Sequence, residues 1–201
     1  MYNDSYMILE VAFLNRTKRA MSDVFWQLLE EKPYSKITVQ NIVERCQVNR
    51  NTFYYHFKDI PDLAEYSIKA WTDQVIQNNC EFGTLISCVT PIAQELMKRR
   101  TAFIHIYRSA HREAAIRYLN EISSYIVQSY IDTAIHKNGL PSENSAVVAK
   151  VYKCTFAGII LDWLDAGASY DLPDFCEKMC VSFAGAGKRA LLGQSEESCG
   201  C

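Results

Sequence analysis

The stretch Thr38-Val-Gln-Asn-Ile-Val-Glu-Arg-Cys-Gln-Val-Asn-Arg-Asn-Thr-Phe-Tyr-Tyr-His-Phe57 decides how this 201-residue chain is interpreted. In its first half, four apolar side chains follow the i, i+3, i+4, i+7 spacing of one helical face: Val39, Ile42, Val43 and Cys46. Thr38 precedes them with an oxygen that can accept a hydrogen bond from a free N–H group of the first turn. After a short turn at Gln47 and Val48, Asn49 offers a second capping oxygen. The pattern predicts two short helices joined by a tight turn.

The second of these helices has a narrow apolar face. Phe53 and Phe57 lie four residues apart as core anchors, whereas Asn51 and Tyr55 point away from Phe53 at about 100° per residue. An ordinary amphipathic surface helix would also have a polar face. Here that face collects the groups that DNA binding requires: Asn and Arg for base edges, and Thr, Tyr, His and Lys for phosphate oxygens. The pattern therefore favours a helix that reads DNA.

The stretch from Thr17 through Leu63, about a quarter of the chain, resembles the N-terminal domain of the tetracycline-repressor (TetR) family of transcriptional regulators. Its landmarks are the helix Lys18–Glu31, the segment Tyr34–Thr38, Ile42-Val43, Val48-Asn49-Arg50, Thr52–Phe57 and Asp62-Leu63. Two positions depart from the family pattern. Gln47 replaces the usual turn glycine, and Ile60 stands where a lysine commonly meets a phosphate. If the turn is of the usual kind, we expect Gln47 to be left-handed, a modest strain for a non-glycine residue.

The resemblance implies a division of the DNA-binding residues. Base edges in the major groove would be approached by Arg50, Asn51, Thr52 and Tyr55, and phosphates would be held by Thr38, Tyr54, His56 and Lys58. Gln40 and Asn49 complete the set of DNA-binding residues that we predict. Lys58 is a candidate to compensate for the missing lysine at position 60.

The charge of the chain is only weakly suited to DNA. Residues 1–60 contain eight Lys or Arg and seven Asp or Glu, so the other 141 residues hold 13 of the 21 basic and 16 of the 23 acidic side chains. Affinity for DNA grows with the number of phosphates neutralised. We therefore expect a two-fold homodimer, with a doubled set of contacts, on a near-palindromic site in double-stranded DNA.

Composition predicts a soluble globular protein, with 49% apolar and 22% charged residues. No stretch approaches the roughly 20 apolar residues of a membrane span, and the early apolar run 6–14 is broken by Glu10 and lacks the features of a signal peptide. We therefore expect no membrane partner and a cytoplasmic location, where the eight cysteines would be reduced thiols.

The chain predicts an all-α fold, because no strand alternation appears. Asp59-Ile-Pro-Asp62 is typical of a helix start, and the helix it begins would run to about Asn79 as a connector. Further helices are expected near 84–99, 101–109, 112–137, 142–166 and 172–192. We predict a helix-turn-helix domain at 15–62, a helical effector-binding and dimerisation domain at 63–192, and tails at 1–14 and 193–201. Residues 2–14 fit either a loose lead-in or an early start of the first helix.

The last two helices have more apolar surface than one core needs. A seam rich in small residues runs along the final helix: Leu172, Phe175, Cys176, Met179, Cys180, Phe183, Ala184 and Gly187. The preceding helix, 142–166, is apolar over more than one face. A partner surface explains this, and the resemblance implies a four-helix bundle formed by two copies. Burial within a single chain would give the same periodicity.

The resemblance also implies a small-molecule effector in the second domain. A pocket with aromatic walls and few polar groups suits such a ligand, and the candidate residues are His105, Tyr107, Arg108, His111, Tyr125 and Trp163. Tyrosines on long helices also serve as amphipathic packing.

No residue pattern indicates an enzyme, a cofactor or a metal site. The chain has no G-x-x-x-x-G-K-[ST], no H-E-x-x-H and no G-x-S-x-G. Cys176 and Cys180 lie one turn apart, and Cys199 and Cys201 lie in the tail, so a thiol or soft-metal sensor is an alternative, although the spacing is not C-x-x-C. A second alternative is a helical dimer that binds a protein partner. The main interpretation is a ligand-responsive transcriptional repressor.

Overall fold

The computed structural model describes residues 3–79, 85–110, 112–138 and 143–192. Within these ranges every regular element is helical, which confirms the all-α prediction. The helices are α1 Asn3–Glu31, α2 Val39–Cys46, α3 Arg50–His56, α4 Ile60–Asn79, α5 Leu85–Lys98, α6 Arg100–Tyr107, α7 Arg112–Asn138, α8 Ser145–Asp165, α9 Leu172–Ser182 and α10 Ala186–Leu192. A short 3₁₀ turn at Tyr34–Lys36 separates α1 from α2.

The start of the first helix and the end of α9 were not fixed by the sequence pattern. The first helix begins at Asn3, which is the early start left open above. The single helix expected over 172–192 is wrong, because α9 ends at Ser182 and α10 begins at Ala186. Gly185 lies between them with a φ of 77°, a left-handed value that cannot continue a right-handed helix. The predicted tail 193–201 lies outside the described residues.

The chain divides into two compact units, and the first contains residues 1–71 together with 101–112. Its core is formed by Phe25, Leu29, Ile42, Phe53 and Leu63, each with no solvent exposure. An aromatic cluster of α1, α4 and α6 adds to it, with the Phe103 ring centroid 5.4 Å from Trp26 and 4.9 Å from Trp71. The predicted helix-turn-helix segment belongs to this unit.

The second unit contains residues 72–100 and 113–201. Trp163 on α8 is fully buried, and its indole N–H donates to the Tyr170 carbonyl at 3.1 Å. Gly167 and Ala168, with φ of 69° and 54°, end α8. Asp171 caps α9 by accepting from the Asp174 N–H at 2.9 Å. Among the described residues, no helix is both long and apolar enough to cross a membrane.

Candidate nucleic-acid interface

Side-chain caps define the turn between α2 and α3. The Thr38 hydroxyl accepts from the Asn41 N–H at 3.3 Å, while the Asn41 carboxamide oxygen accepts from the Thr38 N–H at 3.1 Å. This reciprocal pair satisfies donors at the start of α2. At its end Gln47 has φ 55° and ψ 42°, so the predicted left-handed conformation is confirmed. Asn49 then caps α3 by accepting from the Thr52 N–H at 2.8 Å.

Aromatic and cationic contacts anchor α3 to the rest of the first unit. Phe53 and Phe57 are buried with ring centroids 5.9 Å apart, and the Phe57 ring lies 5.4 Å from Tyr66 of α4. The Lys18 ammonium of α1 lies 4.8 Å from the Tyr66 ring centroid and 5.3 Å from that of Phe57, within cation–π range. Because α1 and α4 both hold Phe57, the opposite face of α3 points into solvent.

The exposed face of α3 is polar and aromatic. Tyr54 and Tyr55 are 56% and 69% exposed, and Arg50 and Asn51 are also exposed. Tyr54 and Tyr55 are adjacent, and contiguous exposed apolar surface is typical of interaction sites. All four belong to the predicted DNA-binding set, and they lie on one surface in the structure.

Two further predicted residues, Thr52 and His56, are more constrained. The Thr52 hydroxyl donates to the Asn49 carboxamide at 3.1 Å, so in the free protein it completes the α3 cap. His56 is half-buried, and burial lowers its pKa from the usual 6.5, with a smaller contribution from the Lys18 ammonium. Its imidazole is therefore neutral at pH 7 and can offer an N–H group but no positive charge.

Polar hydrogen bonds connect α2 to the first residue of α3. The Glu44 carboxylate accepts from Gln40 Nε2 at 2.5 Å, and the Gln40 carbonyl oxygen accepts from Arg50 Nε at 3.0 Å. Both bonds leave the two terminal nitrogens of Arg50 outside this chain of contacts. A guanidinium held in this way is oriented toward solvent before any ligand arrives. Sequence reasoning missed Glu44, although its i, i+4 spacing from Gln40 was a usable signal.

Thr38 and Lys58 lie at the two ends of this surface, and both are exposed. Beside Lys58 the predicted start of α4 is confirmed, because Asp59 Oδ1 accepts from the Asp62 N–H at 2.9 Å. Asp62 in turn accepts from the Lys58 N–H at 2.9 Å. The backbone at Lys58 is therefore held, while its ammonium is left to solvent.

The five predicted effector residues that the structure describes are divided between the two units. His105, Tyr107 and Arg108 belong to the first unit, where His105 Nδ1 lies 2.7 Å from the Leu29 carbonyl oxygen and Tyr107 packs under the Arg112 guanidinium. Tyr125 and Trp163 belong to the second unit, one exposed and the other fully buried. His111 lies outside the described residues.

An apolar cavity of about 40 Å³ lies within the second unit, between α5, α7, α8 and α9. None of the five described effector candidates is in its lining. The lining residues are Val89, Ile92, Ala93, Leu96, Ile122, Ser123, Ile126, Phe156, Ile159, Ile160, Leu172 and Cys176.

The thiols of α9 are protected from ionisation. Burial raises the pKa of Cys176 to about 11, with a smaller effect from Cys180, and burial also raises the pKa of Cys180. Because the thiolate is the reactive form, this environment argues against a thiol sensor at these positions. No cluster of three or more metal-ligating side chains occurs in the part of the chain that the structure describes. Cys199 and Cys201 lie outside that part.

An anchored α2–turn–α3 segment with an exposed polar face, followed by a second unit whose described elements are helical, is the arrangement of a helix-turn-helix protein. The model of the bacterial regulatory proteins of the tetR family matches residues 23–66. A model of a transcriptional regulator C-terminal region matches residues 84–184, half of the chain. The chain therefore belongs to the TetR family.

Solved structures share this fold at low sequence identity. The dihydroxyacetone kinase operon activator DhaS matches with a TM-score of 0.68 and 13% identity over 86% of this chain and 96% of that chain. NalD, the secondary repressor of the MexAB-OprM multidrug efflux pump in Pseudomonas aeruginosa, has a TM-score of 0.57, with 16% identity over 84% and 95%. The fatty acid degradation regulator FadR from Bacillus halodurans has a TM-score of 0.61, with 15% identity over 87% and 94%. No curated protein sequence matches the chain.

Proposed function

We propose that this protein is a cytoplasmic, ligand-responsive repressor that binds a palindromic operator as a homodimer. The observation that supports this most directly is the exposed face of α3, where Arg50, Asn51, Tyr54 and Tyr55 project from a helix anchored by Phe53 and Phe57. An α-helix fits the major groove of B-DNA, where such side chains can reach base edges and phosphates. Repression follows if the bound dimer excludes the transcription machinery.

Base reading and phosphate binding belong to different residues in this proposal. Arg50, Asn51, Thr52 and Tyr55 approach base edges, and Thr38, Tyr54, His56 and Lys58 hold phosphates. Gln40 acts through its hydrogen bond to Arg50, and Asn49 through the α3 cap. The exposure of Arg50, Asn51, Tyr54 and Tyr55 and the family relationship support this set. The cap of Thr52 must open before its hydroxyl can reach a base.

The proposed dimer surface lies on α8. Four exposed residues spaced by four, three and four positions form one stripe, the α8 stripe: Val147, Val151, Cys154 and Gly158. This is the heptad spacing of helices that pack against each other. Val147 and Val151 are 66% and 57% exposed, and a Cβ built on Gly158 meets no atom within 4 Å, so the stripe is apolar and open. We expect a second copy of the chain to pack on the α8 stripe, because a dimer would double the weak positive charge that faces the DNA.

Ligand response would come from the domain 63–192. An effector can release DNA only if it binds more tightly to a conformer whose two α3 helices have the wrong spacing. Among the structural relatives, one is named an activator and another a repressor. A promoter-fusion assay with and without the protein therefore decides the sign of regulation.

The direct test of DNA binding is selection of bound duplexes from a random pool at physiological salt. We expect enrichment of a sequence with inverted symmetry whose half-sites are about one helical turn apart. Folded, dimeric protein that enriches no sequence would overturn sequence-specific binding and favour a role in binding a protein partner.

Substitutions at Arg50 and Tyr54 separate recognition of DNA bases from binding of phosphates. Arg50→Ala is expected to lower discrimination at one base pair of each half-site by about 1–3 kcal/mol, because a bidentate base contact is lost. Tyr54→Phe should weaken binding to all duplexes alike, since a phosphate contact is the same for every sequence. Competition binding against a set of single-base operator variants measures both effects. Equal loss of preference in the two variants would refute this division of roles.

A pair of substitutions at Glu44 tests its support of Arg50. Glu44→Ala removes the acceptor that holds Gln40 and should reduce discrimination at the Arg50 base pair about two- to tenfold, the range of one hydrogen bond. Glu44→Gln keeps an acceptor and removes a negative charge near the phosphates. It should therefore strengthen binding to all duplexes and preserve preference. The same competition assay distinguishes them, and an unchanged preference in Glu44→Ala would contradict the positioning role.

A further inference from the structure

The cavity of the second unit has the chemistry of a site for an uncharged ligand. Its twelve lining residues include no Asp, Glu, Lys, Arg or His, and their only polar side-chain groups are the Ser123 hydroxyl and the Cys176 thiol. Both of these residues are buried, and the thiol is held neutral by its raised pKa. An ionised ligand placed here would lose its hydration without gaining an opposite charge.

The cavity is narrow in the free protein. Its volume of about 40 Å³ holds only a few water-sized groups. A ligand larger than that must move at least one of the walls formed by α5, α7, α8 and α9. Well-packed helices shift as units and do not deform continuously, so widening the cavity changes the spacing of whole helices.

Two of the walls also present the exposed apolar surface. On α8, Phe156, Ile159 and Ile160 line the cavity, while the α8 stripe faces solvent. On α9, Leu172 and Cys176 line the cavity, while Phe175 is 44% exposed. The same two helices therefore contact the cavity on one side and the proposed second copy on the other. Within the described residues, the lining contains none from α4.

We propose that this cavity binds an uncharged, predominantly apolar small molecule, and that occupancy alters association of two copies by changing the spacing of α8 and α9. The coupling part rests on the homodimer proposed above. In this proposal the ligand first changes the dimer surface, and movement of the α4 connector follows as a later consequence.

The ligand class is tested with octanol and octanoate, two probes of equal chain length that differ in charge at neutral pH. Octanol at about tenfold excess over its dissociation constant should raise the melting temperature of the intact protein by about 3–6 °C. Octanoate at the same concentration should leave it unchanged. Equal shifts with both probes, or no shift with octanol, would overturn the assignment of the cavity to uncharged ligands.

A filling substitution locates the binding. Ala93 lines the cavity and is 2% exposed, whereas its neighbour Gln94 is exposed. Ala93→Leu should abolish the octanol shift, and Gln94→Leu should preserve it. An octanol shift that survives in folded Ala93→Leu would place the ligand elsewhere. If Ala93→Leu fails to fold, the smaller filling substitution Ala93→Val takes its place and should reduce the octanol shift, and an unreduced shift would overturn the site.

Coupling is measured by sedimentation of the full chain over a concentration series. Saturating octanol should change the dimer dissociation constant by about fivefold or more, the lower range of allosteric coupling. An unchanged constant with octanol bound would refute coupling through α8 and α9. Melting and sedimentation need no DNA, so their failure is distinguishable from a failure to select an operator.

Discussion

Gly158→Arg is expected to convert the dimer into monomers and to raise its dissociation constant by about a hundredfold or more. In a two-fold interface the same residue enters from both copies, so two like charges would be buried next to each other. Each costs several kcal/mol, and every 1.4 kcal/mol is a factor of about ten. Loss of the dimer halves the phosphate contacts and removes the paired half-site geometry, so operator binding should fall below detection at physiological salt.

The isolated chain should tolerate this substitution. A Cβ at position 158 meets no atom within 4 Å, and replacing an exposed helical glycine by arginine favours the helix by roughly 0.5–1 kcal/mol. Sedimentation gives the association state and circular dichroism the folded state of the same sample. Gly158→Ala is the matched control, since it strengthens the helix without adding charge or length. A Gly158→Arg protein that remains dimeric would rule out the α8 stripe as the contact surface.

Local patterns account for the parts of the fold that the sequence predicted. The Thr38 and Asn49 side chains accept hydrogen bonds from backbone N–H groups only three residues away. The caps of α2 and α3 could therefore be predicted without knowledge of the tertiary structure. The left-handed Gln47 was expected from the family resemblance, because this residue occupies the position of the usual turn glycine. Such features depend on neighbours in sequence, which is why they were predicted correctly.

Features that depend on residues far apart in the chain could not be predicted from the sequence. The contact of His105 Nδ1 with the Leu29 carbonyl oxygen joins residues 76 positions apart, and helical periodicity carries no information on it. Periodicity likewise marks Ala93 and Ile126 as inward-facing but not as neighbours of a void. The break between α9 and α10 was not predicted, because glycine is tolerated within helices. The presence of Gly185 in the sequence does not by itself indicate a left-handed conformation.

Phe53→Ala should destabilise the first unit by about 3–5 kcal/mol, the usual cost of removing a buried aromatic ring. Phe53 has no solvent exposure, and its ring packs 5.9 Å from that of Phe57, so its loss leaves a void beneath α3. Tyr54→Ala, one residue further and on the exposed side, should change unfolding by less than about 1 kcal/mol. Urea unfolding followed by tryptophan fluorescence measures both.

The pair separates the two faces of α3 because DNA binding should be lost in both variants for different reasons. In Phe53→Ala the reading surface is no longer held in place, so stability and affinity fall together. In Tyr54→Ala the helix keeps its anchors at Phe53 and Phe57 and loses a phosphate contact, so affinity falls while the unfolding midpoint stays near that of the unmodified protein. If Tyr54→Ala instead unfolds as readily as Phe53→Ala, Tyr54 is a packing residue, and the argument that its exposure serves DNA fails.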